Sequence, residues 1–196
     1  MLSERVYTKF RESIEAKMEV GEALAPEIAR ASKLITHALL NERKILVCGN
    51  GASAALAQIF TSAMLDRFEA ERPSLPAIWL GSNVSTYTAI TADQGLAEVF
   101  AKPVRALGME GDILLTISTS GNSQNLTQAI SAAHDRSVSV VALTGRDGGD
   151  VSSLISASDI ELRAPVDSRS RIHEIHLLTL FCLCDLIDTQ LFGIDS

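Results

Sequence analysis

Apolar positions recur every three or four residues along the first forty of the chain. Val6, Phe10, Ile14 and Met18 stand four apart with charges between them, which predicts an amphipathic helix with one apolar stripe. Ile28, Leu34, Ile35, Leu39 and Leu40 predict a second helix, with Pro26 in its first turn, where no amide hydrogen is needed. The pattern then changes to short apolar runs at 44–48 (KILVC), 77–80 (AIWL), 113–118 (ILLTIS), 138–144 (VSVVALT) and, more weakly, 159–165 (DIELRAP). The first, third and fourth are almost continuously apolar, as expected of strands covered on both faces. Helices are expected between them at 52–68, 96–106 and 123–135, and a long one closes the chain over 169–191. Strands alternating with helices predict an α/β fold, a five-stranded parallel sheet sandwiched by helices, with right-handed crossovers. The expected organisation is a helical segment over 1–42, serving oligomerisation, followed by one domain over 43–196.

Composition narrows the function classes. The 196 residues are 46% hydrophobic and 21% charged, as in an ordinary globular domain, and the net charge is −7. An acidic chain does not grip nucleic acid through its own surface, because that needs clustered Lys and Arg. Cys48, Cys182 and Cys184 form no disulfide framework, and the two that stand two apart on a helix diverge, so buried thiols in a reducing compartment are expected. The N-terminus is charged throughout, without the apolar core of a secretion signal, and no uninterrupted apolar run approaches a membrane span. A cytoplasmic location is expected.

Two strands end in the same unusual way. Cys48 is followed by Gly49-Asn50-Gly51-Ala52-Ser53, and Ile117 by Ser118-Thr119-Ser120-Gly121-Asn122-Ser123, each loop opening a helix. Ligands of open α/β sheets collect at the carboxyl ends of the strands, where helix N-termini present free N–H groups suited to an anion. Four hydroxyls at Ser118, Thr119, Ser120 and Ser123 add uncharged donors, and Gly51 and Gly121 permit close approach and left-handed backbone. Serine and asparagine at such places are also ordinary helix caps, and neither loop is a P-loop or a GxGxxG fingerprint. Two of them together predict a pocket for a phosphate monoester on a small sugar.

The segments CGNGASAALAQIF, ISTSGNSQN, ALTGRDGG and RIHEIH, in this order, resemble the sugar isomerase (SIS) domain of the phosphoheptose isomerase group over nearly the whole chain. The resemblance implies a flavodoxin-like five-stranded sheet preceded by two helices, a homotetramer, and a phosphosugar site at Asn50, Gly51, Ser53, Ser118, Thr119, Ser120 and Ser123, with Asp93 and Arg67 at matching acidic and basic positions. It also implies where the chemistry would sit. Isomerisation through an enediol needs a general base and a group that moves protons between oxygens. The resemblance places the Glu at Ala63, a helical His at Ile59, a Gln at His173 and the catalytic His at Phe181. Ala, Ile and Phe neither transfer protons nor bind the zinc that some members hold. His173 and His176 share a helix face but are two ligands short of a tetrahedral site. No catalytic residue, metal or cofactor is therefore expected.

FEAERPSLPAI, VRALG, ALTGRDGG and CLCDLIDTQLF are most similar to one branch of the group, the DnaA initiator-associating proteins. That likeness implies a non-catalytic homotetrameric adaptor that binds the replication initiator DnaA and promotes its assembly at the origin. The alternatives are a phosphosugar isomerase acting on sedoheptulose 7-phosphate and a phosphosugar-sensing regulator. Leu191 and Phe192 near the C-terminus are expected at an interface, with the initiator or with another copy, since exposing such side chains forgoes about 1.5–3 kcal/mol each.

Overall fold

The structure, a computed structural model, describes residues 1–194. The chain runs α1 (Leu2–Leu40), β1 (Ile45–Gly49), α2 (Ala52–Leu65), β2 (Ala77–Trp79), α3 (Val84–Gln94), a 3₁₀ turn (Leu96–Glu98), α4 (Ala101–Leu107), β3 (Ile113–Ile117), α5 (Gln124–His134), β4 (Ser139–Gly145), α6 (Gly149–Leu154), β5 (Ile160–Ala164) and α7 (Arg169–Phe192). All five strands are parallel, in the order β2-β1-β3-β4-β5.

Alternation along the strands builds two cores. Ile45, Val47, Ile113, Leu115, Ile117, Val141 and Leu143 face α1, α2 and α7. Leu46, Cys48, Leu114, Val140 and Ala142 face α3, α4 and α5. Both faces are covered, which is why the central runs are apolar without a break. By length and composition α7 would suffice to cross a membrane. Here it is a core helix, burying Ile172, Ile175, Leu180, Leu183 and Ile187 against α1 and α2.

The N-terminal segment differs from expectation. It is one 39-residue helix, and Pro26 lies in its interior. An interior proline costs about 3 kcal/mol through its missing amide and its clash with the preceding turn. Val20, Leu24, Ile28 and Ile35, on either side of it, are all buried in the core. Four such side chains at about 1.5–3 kcal/mol each outweigh the proline. The half before Val20 has no such cover: Val6, Phe10 and Met18 are 58%, 67% and 73% exposed.

Candidate functional site

β1 and β3 lie side by side with Gly49 opposite Ile117, so the two polar loops leave the sheet together. From β1 the chain crosses first to β2 on one side, then to β3 on the other, which makes this the switch point of the sheet, where ligands of such folds bind. Gly49 is required there: a Cβ would lie 2.8 Å from the Ser53 carbonyl oxygen. The loops are tied to each other by reciprocal amide bonds, Asn50 to Asn125 and Asn125 to Asn50, both 2.9 Å.

Between the loops is a cavity of about 280 Å³ lined by Asn50, Ser53, Ile117, Ser118, Thr119, Ser120, Ser123, Arg146 and Arg169. Two of its hydroxyls keep a proton to donate. Ser118 Oγ accepts the Gly121 N–H at 3.0 Å and Ser120 Oγ the Asn122 N–H at 3.3 Å, so each uses one of its two lone pairs and its O–H proton remains free. Among the described residues no carboxylate lines the cavity, and the only charges there are two guanidiniums. This suits an anion.

Six of the residues expected at the site, Asn50, Ser53, Ser118, Thr119, Ser120 and Ser123, come together here. Gly51 does not line the cavity; it is exposed at the N-cap of α2, with φ at 56°. Asp93 is exposed near the end of α3 and does not line this cavity within the single chain. Arg146 and Arg169 were missed. Arg146 follows β4, whose carboxyl end opens on the same side of the sheet, and that position was the available signal.

The positions where the resemblance places catalytic groups are apolar in space as well. Phe181 packs on Phe68 with ring centroids 5.6 Å apart. Ala63 is partly buried, and its carbonyl accepts from Arg72 Nη2 at 2.6 Å. Arg72 also reaches Asp188 at 2.9 Å, a buried ion pair fastening α2 to α7. His176 Nε2 donates to the Thr144 carbonyl at 2.8 Å, and burial pushes its pKa down to about 4. His173 lies one helical turn beyond Arg169. Both its ring nitrogens are enclosed and have no hydrogen-bond partner among the described residues. Burial, then the charge of Arg169, lowers its pKa, so this imidazole is neutral at pH 7. Among the described residues no three His, Cys, Asp or Glu side chains converge as a metal site.

Residues 9–145 match the SIS domain family. The chain belongs to the SIS-domain family. It is 56% identical over 189 residues to a phosphoheptose isomerase of Chromohalobacter salexigens, covering 96% of each chain. It is 55% identical to a phosphoheptose isomerase of Coxiella burnetii, covering 97% of this chain and 96% of the relative. The solved structure of a phosphoheptose isomerase from Francisella tularensis superposes with a TM-score of 0.93 at 48% identity, covering 96% of this chain and 99% of that one. These relatives overturn two expectations. The DnaA-binding adaptor and the absence of enzymatic activity both give way to full-length relatives that carry the name of an isomerase. The missing Glu and His remove one arrangement of proton-transfer groups, and the inference from there to no activity went too far.

Proposed function

We propose that this chain is a phosphosugar isomerase acting on a heptose phosphate, cytoplasmic, and assembled as a homotetramer. The observation that carries the reading is the cavity at the switch point, whose free hydroxyl protons, amides and guanidiniums fit a sugar phosphate. The names of relatives at 55–56% identity supply the reaction class. Moving a proton between adjacent carbons needs a group that is unprotonated at neutral pH. Ala63 and Phe181 are apolar, and His173, whose ring nitrogens are enclosed, does not line the cavity, so this reading assigns the task to no residue of the single chain.

Assembly is supported by α1. Leu2, Val6, Phe10, Ile14 and Met18 form an exposed apolar stripe continuous with the buried half of the same helix. Such a stripe suits a second copy, which brings the same stripe. Leu191 already packs partly against the chain's own core, whereas Phe192 remains 37% exposed, so Phe192 is the residue this reading gives to an interface.

Incubating the purified protein with sedoheptulose 7-phosphate and following heptose products by NMR tests the activity. Turnover well above a buffer control is expected, and its absence from pH 6 to 9 refutes the isomerase. Sedimentation equilibrium at micromolar concentration tests the assembly, and a monomer there refutes it.

A further inference from the structure

The cavity holds more positive charge than a hydroxyl-and-amide cradle needs. Arg146 and Arg169 line it from different elements, the loop after β4 and the first turn of α7. Among the described residues neither guanidinium has a hydrogen bond or an ion pair. Arg11, Arg30, Arg67, Arg72, Arg105, Arg163 and Arg171 each pair with a carboxylate and Arg136 donates to the Gly108 carbonyl, while Arg5 and Arg43, also without such a partner among the described residues, do not line this cavity. In a chain of net charge −7, two unpaired arginines meeting at one carboxylate-free cavity call for an anion.

The backbone points the same way. Arg146 is held in the left-handed region, φ 57°, by its N–H bond to the Ala164 carbonyl at 3.0 Å. A side chain other than glycine is strained there, and such strain persists where the surrounding structure fixes it, often at ligand sites. In the same cavity wall, the Ser118 and Ser120 hydroxyls each accept one backbone N–H and keep a proton to donate. A phosphomonoester at neutral pH carries close to two negative charges, whereas a phosphodiester carries one and has two oxygens capped.

We propose that Arg146 and Arg169 are ligand-binding residues that clamp a terminal phosphate dianion, so that the site selects phosphomonoesters over phosphodiesters and over sugars without phosphate. The proposal rests on the phosphosugar reading of the cavity and adds to it the two residues that set charge selectivity. The loop 118–123 holds part of the phosphate with neutral donors, and each guanidinium neutralises one charge.

Calorimetric titration at pH 8 tests this with sedoheptulose 7-phosphate and its methyl phosphodiester as probes. The wild type is expected to prefer the monoester by at least about tenfold, as one charge-assisted hydrogen bond implies. Arg146→Ala and Arg169→Ala should each weaken the monoester by about tenfold or more and the diester by less than about threefold. Arg146→Gly removes the backbone strain along with the charge; it should fold at least as well as wild type and bind as poorly as Arg146→Ala. If the folded variants keep wild-type affinity for the monoester, or if wild type binds both probes alike, the proposal is overturned. Because binding is measured rather than turnover, a protein that binds selectively but turns nothing over would sink the isomerase alone. Failure of wild type to bind either probe would sink both.

Discussion

Gly121 is the position where one added methyl group tests the most of this structure. It sits in the polar loop with φ at 69°, and an ideal Cβ there would lie 2.5 Å from the Gly148 carbonyl carbon and closer still to its oxygen. The two loops are also sewn together around it: Val151 N–H donates to the Gly121 carbonyl at 3.0 Å, and Asp150 N–H to Asn122 Oδ1 at 3.0 Å. Two penalties therefore add in Gly121→Ala. A left-handed backbone costs an L-residue about 1–2 kcal/mol, and backbone displacement in a packed site costs about 1–3 kcal/mol. The expected loss is about 2–5 kcal/mol. Gly51→Ala tests an unfavourable positive-φ backbone without crowding, because Gly51 has φ of 56° and ψ of −123° and nothing within 4 Å of its added Cβ; about 1–3 kcal/mol is expected there. Urea unfolding followed through Trp79, the single tryptophan, at one fixed protein concentration, gives both values. Gly121→Ala should also bind sedoheptulose 7-phosphate less tightly, since the loop must move to relieve the overlap. If Gly121→Ala is no less stable than Gly51→Ala and binds normally, the packing of the 118–123 loop against 148–149 is wrong.

Four further outcomes follow from the same physical chemistry. Unfolded His176 protonates near 6.5 and folded His176 only near pH 4, so stability is unaffected above that window and falls as pH drops through it, by ~3 kcal/mol in all; His176→Gln should flatten that fall in a urea–pH series. Arg169→Ala should raise the pKa of His173, seen in its ring NMR signals, but only part of the way to 6.5, because burial is the larger cause of the depression. Arg72→Ala should cost about 3–5 kcal/mol in urea unfolding by leaving Asp188 buried without a partner. Burial pushes the Cys184 thiol up to about 12 and Cys48 higher, so a thiol reagent at pH 8 should modify neither until the protein unfolds.

The sheet was legible because each central strand is a short, unbroken apolar run, and only burial on both faces makes such runs. The helix α3 was not. It buries a single residue, Ile90, so the chain carries no apolar stripe there. The signal it does carry is Asn83, whose side chain caps the helix by accepting the Thr86 N–H at 3.0 Å. Pro26 misled for the opposite reason: the local rule against interior proline is sound, but tertiary burial on both sides of it is stronger. At the site the serine loop could be read from its strand-to-helix position. Arg146 and Arg169 are 23 positions apart and belong to no local pattern, so only the fold brings them to one cavity.

The seating of α7 explains how so polar a cavity is held in shape by an apolar helix. Its first turn carries Arg169 into the cavity wall. One turn later Ile172 packs on Gly145 so closely that a Cβ there would stand 2.7 Å from Ile172 Cδ1, and His176 holds the Thr144 carbonyl. Three turns further on, Asp188 binds Arg72, which in turn grips the carbonyls of Ala63 and Met64 at the end of α2. The helix rises about 1.5 Å per residue, so these fixings span roughly 24 Å from Ile172 to Asp188. Arg72 thus ties the far end of α2 to α7, whose first turn carries Arg169. α2 starts at the Asn50–Ser53 loop, so the same two helices carry both walls of the cavity. A buried ion pair contributes little net stability against an apolar alternative. Its value here is geometric: it sets the register of two helices whose opposite ends must meet around one anion.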